Sequence, residues 1–221
     1  MAPADSLKPI SREPTAGLIA DQLREAIMSG ALAQGDQLGE ADLAARFGVS
    51  RGPLREAMQR LVQEGLLRSV RHRGLFVTEL TPADIDDIYA ARMAVEGAAV
   101  TMIVQQADPG AANRLGKAAA RMERAAKKRD HAALSRSDLD FHEVLVAESG
   151  SARLERMART LLVETRMCMA ALPSKYHAPA DLAAEHASIV EAIKEQDTDR
   201  ALALLEDHMH DAIGRLAPHQ A

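Results

Sequence analysis

Aromatic side chains are almost missing from this chain: among 221 residues there are two Tyr, three Phe and no Trp. A core built without them must be packed from Leu, Ala, Val, Ile and Met, a mixture that suits helices better than sheets. The single cysteine, Cys168, excludes an intramolecular disulfide framework. No long uncharged apolar run occurs, which argues against a membrane-spanning helix, and no signal-peptide pattern is visible, so the chain reads as cytosolic. The 47% hydrophobic content still suffices for one or two packed cores.

Positive charge is also in short supply, the net charge being −5, yet it is unevenly placed. Met1 to Thr78 carries ten Lys and Arg against nine Asp and Glu, leaving 17 basic against 23 acidic residues for the remainder. Between positions 51 and 73 there are six arginines (51, 55, 60, 68, 71 and 73) against Glu56 and Glu64, a local patch of the kind that neutralises phosphates.

That patch lies in the most informative stretch, GVSRGPLREAMQRLVQEGLL from Gly48. Ser50 is an N-cap candidate whose hydroxyl can accept from a first-turn amide, and Pro53 is early enough in a helix starting near Arg51 to be tolerated. Leu54, Ala57, Met58, Leu61 and Val62 recur at spacings of three and four, and Gly65 supplies a stop. Arg51, Arg55 and Gln59 fall on the opposite face, where guanidiniums can pair with guanine or clamp phosphate in a major groove. Glu40 to Phe47 forms the preceding helix, joined through Gly48-Val49, and Leu18 to Met28 supplies a covering helix. Leu66–Val70 and Leu75–Thr78 are β-prone runs linked by Arg71-His72-Arg73-Gly74, a hairpin with glycine where positive φ is needed. Three helices and a hairpin make a winged helix-turn-helix.

These residues resemble the GntR family of bacterial regulators, whose signature is close to VSR-x-P-VREAL-x-L-x-x-EGL; here it stands as VSRGPLREAMQRLVQEGLL, followed by the wing RHRGLFV. Gly52 stands where the family usually has a small hydroxyl residue, and Leu54 replaces Val. The resemblance implies double-stranded DNA as a partner, with Arg46, Ser50, Arg51, Arg55, Arg73 and Gly74 as the candidate DNA-binding residues.

From Thr81 the periodicity is helical throughout. Thr81-Pro82-Ala83-Asp84 is a capping-box-like start, and Asp108-Pro109, Asp130, Ser151, Pro179 and Asp197 mark others. The expected helices are Pro82–Gln106, Pro109–Lys128, His131–Glu148, Ala152–Leu172, Pro179–Gln196 and Thr198–Leu216. The fold class is therefore mainly α. A mobile arm occupies 1–14, a DNA-binding domain 15–79, and an all-α antiparallel effector-binding and dimerisation bundle 80–217. Ala118 to Lys128, rich in alanine and charge, reads as an exposed helix face.

Polar residues interrupt the apolar stripes of this bundle. Asp138 and His142 sit with Leu134, Phe141 and Leu145 on one face; His186 shares a stripe with Leu182, Ile189, Val190 and Ile193; His208 shares one with Ala201, Leu204, Leu205, Ala212 and Leu216. Burying one carboxylate and three imidazoles without partners is costly, whereas one divalent cation satisfies all four. A core histidine taken alone is ordinarily just hydrogen-bonded; the combination points to metal. His210 lies off its stripe, and His72, His131, His177 and His219 have surface or loop settings.

The order Asp138-x-x-Phe-His142, Glu185-His186 and Leu204-Leu205-x-x-His208 resembles the FCD-type effector domain of the FadR subfamily of GntR regulators, in which an Asp and three His hold a metal and a small carboxylate completes its coordination. Gly150-Ser151 replaces the Gly-Asn often found after the third helix of that domain. The donor set suits zinc best, and manganese, nickel, cobalt and iron also accept it. Arg92 shares the inward stripe of the first bundle helix with Ile85, Ile88, Val95, Ala99 and Met102. It reads either as half of an ion pair with Glu96 or as a fork for an effector carboxylate.

The expectation is a ligand-responsive homodimeric regulator, in the first place a repressor, on a palindromic operator, sensing a small organic acid. The alternatives are a regulator sensing the metal itself, or a metal-dependent hydrolase or isomerase. All four donors serve as ligands, and no separate base or nucleophile lies on an inward stripe, which argues against catalysis.

Overall fold

The computed structural model describes residues 15–171 and 179–216, and the chain divides into two compact units, Met1–Val77 and Thr78–Ala221. The expected arm at 1–14, the end of the fourth bundle helix at Leu172, and His177 and His219 lie outside the described residues.

The first unit holds α1 (Thr15–Met28), β1 (Gln37–Leu38), α2 (Glu40–Phe47), α3 (Arg51–Gln63), β2 (Leu67–Val70) and β3 (Gly74–Val77). Ala16, Ile19, Ala20, Leu23 and Ile27 form one buried face of α1, and Leu54, Ala57, Met58 and Leu61 the buried face of α3; the two helices pack together. Gly48 closes α2 in the left-handed region (φ 64°), the sharp connection a helix-turn-helix requires, and Gly65 (φ 80°) follows α3. Ser50 does precede α3, but its hydroxyl makes no capping hydrogen bond, in contrast to the expectation. The wing is a three-stranded antiparallel sheet in the order β1-β3-β2, where a two-stranded hairpin was expected. The strand missed by pattern reading is only two residues long, too short to show alternation. His72 takes a positive φ of 60° at the hairpin tip beside Gly74, at 101°.

The second unit comprises α4 (Pro82–Gln106), α5 (Pro109–Lys128), α6 (His131–Glu148), α7 (Ala152–Ala171), α8 (Pro179–Lys194) and α9 (Thr198–Leu216). Five of the six starts have a local side-chain cap. Thr81 and Asp84 form a reciprocal capping box; Asp108 accepts from the amides of Gly110 and Ala111; Asp130 caps Ala133; Ser151 and Asp197 accept from Leu154 and Arg200. The helix expected to reach Gln196 ends at Lys194, followed by a left-handed turn at Gln196. Helix α5 lies against α6 and α8, α4 against α7 and α9, and α8 against α9. The Ala118–Lys128 stretch is not simply an exposed face: Ala118, Ala119, Met122 and Ala125 enter the core, and only the charged positions face outward. Among the described residues no helix is long and apolar enough to cross a membrane.

Candidate functional site

Helix α6 brings Asp138 and His142 inward one turn apart, α8 brings His186 and α9 brings His208; all four are buried. Their nearest donor atoms lie within 4.8 Å of one another. Helix periodicity supplies each inward direction, and Phe141, fully buried, packs edge-on against His142 and His186, with ring centroids 5.6 and 4.6 Å away. His210, two positions beyond His208, faces solvent.

The hydrogen bonds of the three imidazoles assign their tautomers. His142 Nδ1 is 2.6 Å from Glu96 Oε2, His208 Nδ1 is 2.8 Å from Glu185 Oε2, and His186 Nδ1 is 2.7 Å from the Leu182 carbonyl. Each neighbour can only accept, so each Nδ1 carries the proton and each Nε2 presents a lone pair. Those lone pairs converge. The His142 Nε2 lies 3.2 Å from His208 Nε2 and 3.4 Å from His186 Nε2, and Asp138 Oδ1 lies 3.2 Å from His186 Nε2. Asp138 Oδ1 is buried without a hydrogen-bond partner. Four acceptors thus face one point with no donor among them; three of their separations are 3.2–3.4 Å, near the ~3.4 Å edge of a tetrahedral zinc shell, and His142 Nε2 lies 4.0 Å from Asp138 Oδ1. The donor set fits a divalent metal.

Electrostatics favour the same protonation states. Burial drives the His208 ring down to about 3, with neighbouring His186 adding to the shift, and burial likewise lowers His142. Burial alone would raise Glu96, but the Arg92 guanidinium and His142 outweigh it and bring the carboxyl to about 2. His142 and His208 are therefore held neutral and Glu96 ionised, which suits metal binding.

Arg92 enters the core from α4 and is 2% exposed. Its Nε donates to Glu96 Oε1 at 2.8 Å, its guanidinium carbon lies 4.9 Å from the Tyr89 ring centroid, and its Nη2 has no hydrogen-bond partner. Both expectations for Arg92 thus leave traces, an ion pair and an unsatisfied donor edge. The sequence pattern gave Glu96 only as a partner for Arg92 and Glu185 only as a neighbour of His186; their roles in orienting His142 and His208 depend on which helices become neighbours.

In the first unit, Arg46, Ser50, Arg51, Arg55, Arg73 and Gly74 are all exposed. Arg55 is engaged with Glu40 of α2. Arg73 and Arg68, both among the arginines of the basic patch, lie over the Phe76 ring at 5.3 and 5.6 Å.

A winged helix-turn-helix with an exposed basic helix, joined to a helical domain with a buried polar centre, defines a DNA-binding regulator carrying a ligand-binding domain. The comparisons specify which. Residues 15–77 match the bacterial regulatory proteins of the gntR family, and residues 87–211 match the FCD domain. The chain belongs to the GntR family of transcriptional regulators, with an FCD ligand-binding domain. It is 31% identical over 82% of its length to an uncharacterized HTH-type transcriptional regulator, YdhC, of Bacillus subtilis, covering 81% of that protein. It is 30% identical over 94% of its length to the gluconate operon transcriptional repressor of Bacillus licheniformis, covering 87% of it. The crystal structure of a GntR transcriptional regulator from Rhodococcus sp. RHA1 superposes with a TM-score of 0.76 at 27% identity, covering 91% of this chain and 96% of that one. These relatives are transcriptional regulators, not enzymes.

Proposed function

We propose that this regulator is a cytoplasmic, homodimeric repressor that binds a divalent metal, zinc foremost, through Asp138, His142, His186 and His208, and senses a small organic acid there. The observation that carries the reading is the convergence of four buried acceptors, the Asp138 carboxylate and three imidazoles whose Nδ1–H groups are each fixed by a carboxylate or carbonyl. A metal at this point would act as the positive wall of an anion site, and an effector carboxylate would add to its coordination. The buried Nη2 of Arg92 would take a second oxygen. The similarity to a gluconate operon repressor favours hydroxy acids of sugar type as first candidates.

On the DNA side, Arg51 and Arg55 would contact operator bases or phosphates, with Arg46, Ser50, Arg73 and Gly74 at the backbone or minor groove. A dimer would present two such helices to a palindrome. Helix α4 follows the wing through Thr78–Leu80, so an effector that shifts α4 has a covalent route to the DNA-binding unit; a coupling of about 1–3 kcal/mol would alter occupancy appreciably. Operator binding measured with zinc, after chelation, and with D-gluconate and related acids tests the scheme. Operator affinity that responds to the acid only when zinc is present supports it. Response to zinc alone identifies a metal sensor, and response to the acid without zinc removes the metal from sensing.

A further inference from the structure

Two carboxylates orient ligand imidazoles, and both also face an arginine. Glu96 accepts from His142 Nδ1 with Oε2 at 2.6 Å and from Arg92 Nε with Oε1 at 2.8 Å. Glu185 accepts from His208 Nδ1 with Oε2 at 2.8 Å, while its Oε1 lies 3.5 Å from Arg215 Nη1. The two arrangements differ in environment. Arg92 and Glu96 are 2% and 1% exposed, whereas Arg215 and Glu185 are 26% and 25% exposed, so water screens the second pair and not the first.

We infer that Glu96 is the positioning residue through which Arg92, which touches none of the four candidate ligands in the hydrogen-bond pattern, tunes the metal centre. This rests on the metal reading above. A single buried carboxylate is divided between two donors. What Arg92 withdraws from it is lost to the hydrogen bond that fixes His142, and with it to the basicity of His142 Nε2. An anion engaging the free Nη2 of Arg92 lessens that withdrawal and strengthens the hold on His142. Linkage makes the effect reciprocal: whatever occupies Arg92 changes metal affinity, and the metal changes affinity at Arg92 by the same factor. The Arg215–Glu185–His208 arrangement, whose ion pair is a quarter exposed, lacks this leverage and serves as an internal control.

The test is a double-mutant cycle on Zn2+ affinity, read by competition with a chromophoric chelator on the full chain without effector. Glu96→Gln lowers Zn2+ affinity by about 10–100-fold, as loss of an orienting carboxylate does. Arg92→Ala raises affinity at least about five-fold in the native and Glu185→Gln backgrounds, but changes it less than about two-fold in Glu96→Gln, and a fall in the native background overturns the inference. An Arg92→Ala effect that persists in full in Glu96→Gln means that Arg92 acts across space, which overturns the inference; so does the lack of any effect in the native background. A native chain that binds no Zn2+ removes the metal reading itself, a different failure. Should either variant not fold, the native protein answers by NMR. Zn2+ must shift the His142 Nδ1–H and Arg92 Nε–H resonances together, and movement of the first without the second overturns the relay.

Discussion

Arg55 Nε on α3 donates to Glu40 Oε2 on α2 across 2.7 Å, so the side chain expected to read DNA is paired with its neighbouring helix. Both groups are solvent-exposed, so the pair is readily exchanged for phosphate or a base edge. Arg55→Ala should weaken specific operator binding by about 1–3 kcal/mol. Glu40→Gln should strengthen it several-fold, by freeing the guanidinium and removing a charge that repels phosphate. Fluorescence anisotropy at two salt concentrations measures both; equal affinity of the native chain and both variants would take Arg55 off the interface.

His208 and His210 give a contrast within one helix. The first is buried against His142, with Nε2 atoms 3.2 Å apart, and the second is exposed. His208→Ala should lose most bound metal and His210→Ala none, as read by elemental analysis of the purified proteins. Equal metal content in the two variants counts against the site.

Gly48 tests the turn of the helix-turn-helix. Its φ of 64° is one that side chains rarely adopt, yet a Cβ built there meets nothing within 4 Å. Gly48→Ala should therefore cost about 1–2 kcal/mol through backbone strain alone. Urea denaturation gives the value, and an unchanged midpoint would show that the turn relaxes freely.

The pH dependence of the metal-free protein follows from the depressed groups. Burial lowers His208 to about 3 and also lowers His142, so below their ordinary value near 6.5 the unfolded chain binds protons that the folded chain refuses. Stability is then complete above about pH 6.5 and declines as pH falls, by about 1.4 kcal/mol per pH unit for each such histidine. Glu96, lowered to about 2 with Arg92 and His142 outweighing burial, adds a further loss below its ordinary 4.5. Thermal unfolding of chelated protein from pH 8 to pH 4 should show the Tm falling from near 6.5, with His208→Gln shallower. A flat profile down to pH 5 would mean that the rings accept protons in the folded state.

Sequence alone went far because its signals here are local. Helix ends follow from caps such as Thr81 with Asp84 and Asp108 before Pro109, which act within three residues. The inward direction of Asp138, His142, His186 and His208 follows from the 3.6-residue period, a property of each helix by itself. Tertiary structure decided what lies across the gaps between elements. Whether Glu96 also serves His142 depends on α4 meeting α6, and the reach of Glu185 to His208 depends on α8 meeting α9. The two-residue strand β1 exists only because β3 offers it an edge, and Arg55 finds Glu40 only once α2 and α3 are docked. Periodicity tells each side chain which way to face; only packing tells it what it will meet there.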